Sequence, residues 1–504
     1  VIIKARIIQH QGSRYRAAPM KMHLSYLRRQ GATRDGERAE MFDRDGAADH
    51  DAFAKRCEHD RHHFRFMVSP EDAEQLKDLR ATTQALMERA ERELGTRLDW
   101  VAVDHWNTDN PHVHILVRGV AEDGRDLVIH PDFLKHGFRE IAEALVSLEL
   151  GPRSQAEIAA FLDREMTADR WTHLDRRLRD RADNSGAVDL RPAGDHAASV
   201  DVRLVGRAQY LERLGLAQSD ASGQWRLVED LEPKLRALAE RGDIIKALHR
   251  ALRGQDRDPS ALVIQGQALE APVFGRLVDR GLHDELNGQA YVIVDGVDGR
   301  LHHLRFSSLG QTGDTPIGGL VEVRSRSLDD GASRLELVHR SDLSLDAQIK
   351  ASGATWLDRQ MVSREPLALS RAGFGLEARE ALERRREQLE RMGLASRQGG
   401  ALTPARNLLS TLRNQELSRV AANIAAEAGA AHIEVKPGAA VAGIYSRRVD
   451  LASGRFAMIE DGLGFQLVPW TRSLDAHLGK EIRGAMTSSG GVEWSLGTKR
   501  GLGL

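Results

Sequence analysis

The sequence places three histidines within ten residues, in the run Asp104-His105-Trp106-Asn107-Thr108-Asp109-Asn110-Pro111-His112-Val113-His114. His112 and His114 are separated by one apolar residue and lead into Ile115, Leu116 and Val117. Side chains two apart on a strand share a face, so both imidazoles point the same way. Asn110-Pro111 favours a turn that brings His105 back toward the pair. Imidazoles converging like this suit a divalent metal ion. A lone strand histidine is usually packed or hydrogen-bonded; three together, two of them cofacial, favour the metal.

The elements that must position these residues can be read on either side. Phe64 to Val68 reads as a strand. Ser69-Pro70-Glu71-Asp72 reads as a helix opening, with Ser69 as N-cap and Pro at the first helical position. Leu76, Leu79, Leu86, Met87, Ala90 and Leu94 supply its apolar face, and Gly95 closes it. Leu98 to Val103 and Val113 to Val117 are further strands, and residues 137–150 form a helix stopped by Gly151-Pro152. This predicts an α+β domain with a central sheet over residues 1–155.

From His105 to His114 the segment resembles the third motif of relaxases, the mobilization nucleases of the His-hydrophobe-His endonuclease superfamily, in particular the plasmid-transfer and T-DNA border endonuclease class. The resemblance implies an antiparallel sheet flanked by helices, with His105, His112 and His114 holding one Mg²⁺ or Mn²⁺ ion. It also implies a tyrosine nucleophile in a phrase like His23-Leu24-Ser25-Tyr26-Leu27-Arg28-Arg29-Gln30-Gly31, hence Tyr26, and a serine after a strand, hence Ser69. Many members have an acid where this chain has Asn107, which brings no charge; Asp104 or Asp109 can substitute in supporting the histidines. The implied reaction is nicking of single-stranded DNA at a transfer origin, leaving a 5′-phosphotyrosyl intermediate. The implied partners are accessory relaxosome proteins and a secretion-system coupling protein, in a bacterial cytoplasm. A replication initiator or transposase of the same superfamily, or a catalytically idle DNA-binding protein, are the alternatives.

Charge fits such a substrate only locally. Net charge is −2, yet residues 1–34 hold eight Lys or Arg and no acid. Such a stripe can neutralise phosphates while the rest of the surface repels them. Ser69, Arg28, Arg29, Arg65 and Arg118 are the candidate phosphate contacts. Trp106 is a candidate for stacking on an unpaired base, although an anchoring role in the core is favoured. No apolar run approaches 18 residues, so no membrane insertion is expected. The single cysteine, Cys57, fits a reducing compartment. The absence of an initiator Met suggests a fragment.

Beyond the first domain the expected division is 156–260, 261–345, 346–430 and 431–504. Residues 154–183 read as two helices, the second (Trp171 to Arg181) rich in Arg. A later helix ends in Tyr210-Leu-Glu-Arg-Leu-Gly-Leu-Ala217, and the phrase returns as Gln388-Leu-Glu-Arg-Met-Gly-Leu-Ala395. Helices followed by a short hairpin outline winged-helix-like modules. Residues 288–325 and 434–497, with Gly-punctuated short strands, read as small β-barrels. This carboxy-terminal part resembles that of a relaxase subgroup with no assigned activity for the region.

Overall fold

In the computed structural model, the described residues are 1–10, 18–28, 39–106, 111–183, 185–191, 199–220, 224–252, 261–265, 269–284, 286–327, 333–398 and 401–495. They fall into two units, residues 1–254 with 284–289, and residues 255–283 with 290–504. Helix and sheet are mixed in both. Among the described residues no helix is long and apolar enough to cross a membrane.

The first unit opens with β1 (Ile2–Gln9), α1 (Ala18–Leu27), α2 (His50–Arg56), β2 (His62–Ser69), α3 (Leu79–Leu94), β3 (Trp100–His105), β4 (His112–Arg118) and α4 (Phe138–Leu150). The four strands form one antiparallel sheet in the order β1-β2-β4-β3. Alternation gives it two differently covered faces. Phe64, Phe66, Trp100, Ala102, Val113, Ile115 and Val117 pack with α3 and α4. Val101, Val103 and Leu116 pack with Met20, Leu24 and Leu27 of α1 and Phe53 and Ala54 of α2.

One local expectation is corrected here. Ser69 caps no helix: it ends β2, and α3 begins ten residues later, where the Asp78 side chain accepts from the amides of Arg80 and Ala81. Residues 70–78 are used as a turn and a short 3-10 segment, so the cap falls to the Asp78 carboxylate. Gly95 does close the helix, at φ 65°, with its amide on the Glu91 carbonyl.

The rest of the first unit holds α5 (Gln155–Met166), α6 (His173–Arg181), β5 (Ala187–Asp189), α7 (Ser199–Arg213), β6 (Ala217–Ser219), β7 (Gln224–Leu227) and α8 (Leu231–Ala251). The second unit runs β8 (Leu262–Gln265), β9 (Val273–Asp284), β10 (Gln289–Gly296), β11 (Leu301–Phe306), β12 (Leu320–Ser327) and β13 (Ser333–Ser341). It continues through α9 (Leu345–Lys350), α10 (Trp356–Val362), α11 (Gly373–Arg391), β14 (Ala395–Gln398), β15 (Ala401–Pro404) and α12 (Leu408–Ala428). It closes with β16 (Ala431–His432), β17 (Ala440–Leu451), β18 (Gly454–Glu460), β19 (Gly464–Pro469), β20 (Glu481–Met486) and β21 (Val492–Trp494). The expected barrels are open. Strands β8–β13 make a six-stranded sheet in the order β13-β12-β9-β10-β11-β8, and β16–β21 another in the order β16-β19-β18-β17-β20-β21. In each, the edge strands find no partner in one another among the described residues, so short Gly-punctuated strands here build sheets.

The two helical segments share a frame that goes well beyond the Leu-Glu-Arg phrase. In the first, Thr172 caps α6 in a reciprocal box with Asp175, and Asp175 holds the fully buried Arg207 of α7 at 2.7 and 2.9 Å. The remaining guanidinium hydrogens go to the carbonyls of Met166, Ala168 and Arg170. In the second, Thr355 and Asp358 form the same box at α10, and Asp358 holds the buried Arg385 of α11 at 2.9 and 2.8 Å. Arg385 also donates to the carbonyls of Ile349, Ala351 and Gly353. Each frame carries Thr-x-Leu-Asp-Arg (172–176 and 355–359) and is followed by a hairpin, β6–β7 or β14–β15.

Both buried pairs satisfy every charged group, and removing one partner strands the other in a dry interior. Arg207→Ala and Arg385→Ala should each destabilise the chain by about 3–5 kcal/mol, measured by denaturant unfolding. A loss below about 1 kcal/mol would show that the frame is not what holds its module. A second cluster, Arg455 with Asp342 and Asp314, and Arg448 with Asp314, ties β17 and β18 to segments flanking β12 and β13. Burial raises the Asp314 carboxyl, but Arg448 and Arg455 outweigh it and hold it down to about 2. Its folded value lies below its unfolded one, about 3.9, so its stabilisation is complete above pH 4 and lost as pH falls toward 2. Asp314→Asn should flatten the acid limb of thermal stability between pH 4 and 2, as followed by calorimetry.

Candidate metal centre and nucleic-acid face

Antiparallel pairing sets His105 directly opposite His112 and Val103 opposite His114. Directly opposed residues share a face, so all three imidazoles lie on the side covered by α1 and α2. They are buried, at 0%, 7% and 3% exposure for His105, His112 and His114. Ring centroids are 4.8 to 5.4 Å apart. One nitrogen from each lies within 4.8 Å of the others, and the Nε2 atoms of His112 and His114 are 3.0 Å apart. Two nitrogens each about 2.1 Å from one ion and at right angles to each other would be about 3 Å apart. The donor set therefore fits a divalent ion, with imidazoles favouring the softer first-row metals over Mg²⁺.

His105 is oriented by the backbone of α1. Its Nε2 lies 2.7 Å from the Leu27 carbonyl oxygen. A carbonyl only accepts, so Nε2 carries the proton and Nδ1 holds the lone pair, which is how a second hydrogen bond fixes the tautomer of a ligating histidine. The same link brings the chain next to Tyr26 onto the histidine face. Leu24 and Leu27 are fully buried against Val101, Val103 and Leu116, and half-buried Tyr26 packs on this cluster.

The other residues of interest distribute unequally. Ser69 is buried at the end of β2, and its hydroxyl donates to the Pro111 carbonyl at 3.2 Å, tying the entrance of β4 to the neighbouring strand. Asp104 turns to the opposite face from the imidazoles. Its two oxygens accept from Arg80 Nε at 2.8 Å and Trp106 Nε1 at 2.6 Å, so it anchors α3 and Trp106 and supports no histidine. Trp106 itself packs against the α3–α4 core. Arg28 donates to the His50 ring at 2.8 Å. Arg118 sits at the far end of β4, bidentate on Asp60 at 2.8 and 3.0 Å, so its charge is used inside the fold. Arg29, Asn107 and Asp109 lie outside the described residues.

Arg65 is the cation best placed by the sheet. It stands opposite Leu116, two residues from His114 and on the same face. A chain of hydrogen bonds fixes it, and reading the sequence alone missed it. Arg65 Nε donates to His63 Nε2 at 3.0 Å, and an arginine cannot accept. His63 must therefore carry its proton on Nδ1 and donate it to His10 Nε2 at 2.7 Å. His10 in turn donates from Nδ1 to the Asp60 carbonyl at 2.7 Å. Burial lowers both histidines, His63 well below its ordinary value with the Arg65 charge adding to the effect, so the chain stays neutral and directional. The available signal was the period-two pairing of His63 with Arg65 in His62-His63-Phe64-Arg65. Toward β1 the same face carries exposed Lys4 and Arg6, opposite Met67 and Arg65.

Comparison with known proteins agrees with this geometry. The family model "MobA/VirD2-like, nuclease domain" of relaxases matches residues 34–147, which span the three histidines, Arg65 and Ser69 but begin after Tyr26. The family model "Protein of unknown function (DUF3363)" matches residues 204–333 and 328–503. No curated protein and no solved structure matches the chain. With the second model covering more than half of its length, the chain belongs to the DUF3363 family, and ahead of that region it carries a relaxase nuclease domain.

Proposed function

We propose that residues 1–155 nick one strand of DNA at a transfer origin by transesterification onto Tyr26, with His105, His112 and His114 as metal ligands. The observation that carries this reading is the joint one: three buried imidazoles on one face, and the Tyr26 helix hydrogen-bonded through Leu27 to the first of them. In the reaction the Tyr26 hydroxyl loses its proton and its oxygen bonds to phosphorus. The bond from phosphorus to the 3′ oxygen breaks, and that oxygen leaves as a 3′-hydroxyl. A bound ion supplies charge neutralisation of the scissile phosphate. Arg65, with Lys4 and Arg6 beyond it, supplies further positive charge along the strand's path. Retained bond energy makes rejoining possible without ATP, which water as nucleophile would not allow. Winged-helix-like modules after residue 155, and the divisions near 260, 345 and 430, belong to the same proposal, as do relaxosome and coupling-protein partners.

Incubated with labelled single-stranded origin DNA and Mn²⁺, the wild-type chain should give a denaturant-resistant protein–DNA adduct. Tyr26→Phe should lower its yield by about 10³-fold or more. Cleavage without adduct in both proteins would instead identify a water-using metallonuclease. The donor set adds a second expectation. Calorimetric titration should show Mn²⁺ binding at least about tenfold tighter than Mg²⁺, and His114→Ala should abolish it. Equal affinity for the two ions would mean that carboxylates or water, and not the imidazoles, dominate the site.

A further inference from the structure

The two helical modules keep one buried frame and differ on the surface. Offsetting the first by 183 residues aligns Thr172 with Thr355, Asp175 with Asp358 and Arg176 with Arg359. It also aligns the carbonyls that receive the buried arginine, those of Met166, Ala168 and Arg170, with those of Ile349, Ala351 and Gly353. Around this shared frame the second module is covered at Gly353, Ala354 and Arg359. Arg359 donates to the Ser453 carbonyl at 2.7 Å, and the Ala354 amide to the Ser453 hydroxyl at 2.9 Å. Glu416 accepts from the amides of Ala452 and Ser453. A side chain at Gly353 would run into the Glu416 carboxylate, 2.0 Å from where its Cβ would stand.

In the first module the matching positions carry arginines. Arg170 stands where Gly353 is, Arg164 where Ala347 is, and Arg177 where Gln360 is. Arg164, Arg170, Arg176 and Arg181 are exposed and Arg177 is half-exposed. Of the four acids among them two face inward, and a third, exposed Asp169, is held by a hydrogen bond. Glu165 is buried and accepts the His173 amide, Asp175 is sealed against Arg207, and Asp169 accepts the Tyr210 hydroxyl. Asp180 alone of the four stands exposed without such a bond to the frame, and it lies 3.7 Å from Arg179. The patch carries no open Trp, Tyr or Phe ring: Trp171 is half-buried with the Arg179 guanidinium over it. Unpaired bases are held by stacking, whereas a duplex backbone is held by charge.

We propose that the arginine face of α6 and the loop before it is a binding surface for the sugar–phosphate backbone of duplex DNA, a role distinct from the single-strand chemistry of the histidine face. The internal copy differs most where it packs on protein: Gly353, closed off by Glu416, stands in place of Arg170, while Arg359 and Arg364 keep the counterparts of Arg176 and Arg181 and Arg359 is spent on the Ser453 carbonyl. Across the five aligned positions the first module carries five arginines, four exposed and one half-exposed, and the second carries two. The inference stands apart from the tyrosine reading, since a duplex carrying no origin suffices to test it.

The test uses the full chain, a labelled 30-base-pair duplex of arbitrary sequence, and anisotropy titrations from 50 to 200 mM salt. Replacing Arg170, Arg176, Arg177 and Arg181 together by Ala should weaken duplex binding about 10- to 100-fold at the lower salt. The slope of log affinity against log salt should fall by about 0.9 for each phosphate no longer neutralised. The matching Lys replacements, which keep the charge, should restore most of the affinity and confirm that the fold is intact. Arg371→Ala with Arg379→Ala, exposed arginines of the second module with no arginine counterpart in the first, should change neither quantity. Unchanged affinity and slope in the Ala variant would overturn the proposal. So would an equal loss in the second-module variant, or a loss confined to single-stranded oligo-dT or to polyglutamate.

Discussion

The register of one antiparallel strand pair governs the first unit. Because β3 and β4 meet with His105 opposite His112, every side chain of the sheet is assigned to one of two faces, and all three imidazoles to the same one. A slip by one residue would send the histidines into the α3–α4 core and turn Val113 and Ile115 onto the face under α1 and α2 instead. The two hydrophobic clusters guard against that slip, since each accepts only the apolar residues of its own parity. The chemistry of the face is thus protected by packing that touches no substrate.

From this constraint the remaining site follows in order. α1 is pinned over the face by Leu24 and Leu27, and the Leu27 carbonyl then sets the tautomer of His105. Arg65 is set by the same alternation on β2, and a neutral chain through His63 and His10 holds it in place. Cation and imidazoles are therefore ordered before any ligand arrives, which lowers the cost of binding a flexible polyanion.

The sequence reveals what is local and hides what closes over distance. The alternation of His112 and His114 and the Gly95 helix stop are both properties of a few neighbouring residues. The link from His105 to Leu27 spans 78 residues and uses a backbone atom, which has no sequence signature. The His10–His63 bond spans 53 residues and runs between two common side chains. Ser69 misleads because serine before proline has two good uses, and a competing carboxylate at Asp78 takes the cap. The barrels fail for a different reason: strand length and glycine turns specify hairpins, while closure depends on how edges meet across the whole sheet. The repeated Leu-Glu-Arg phrase is visible, yet the buried Arg–Asp frame behind it is not, because Arg207 lies 32 residues from Asp175.

That frame has a consequence for how such a chain diversifies. Arg207 and Arg385 each draw three backbone carbonyls and one carboxylate into a closed cage, so the module's shape is specified almost wholly from within. Its exterior is then released from any duty to the fold. Substitutions there are screened by what the surface meets and scarcely by whether the chain folds, so a duplicated module can drift quickly to a new partner while its ancestor's architecture stays intact.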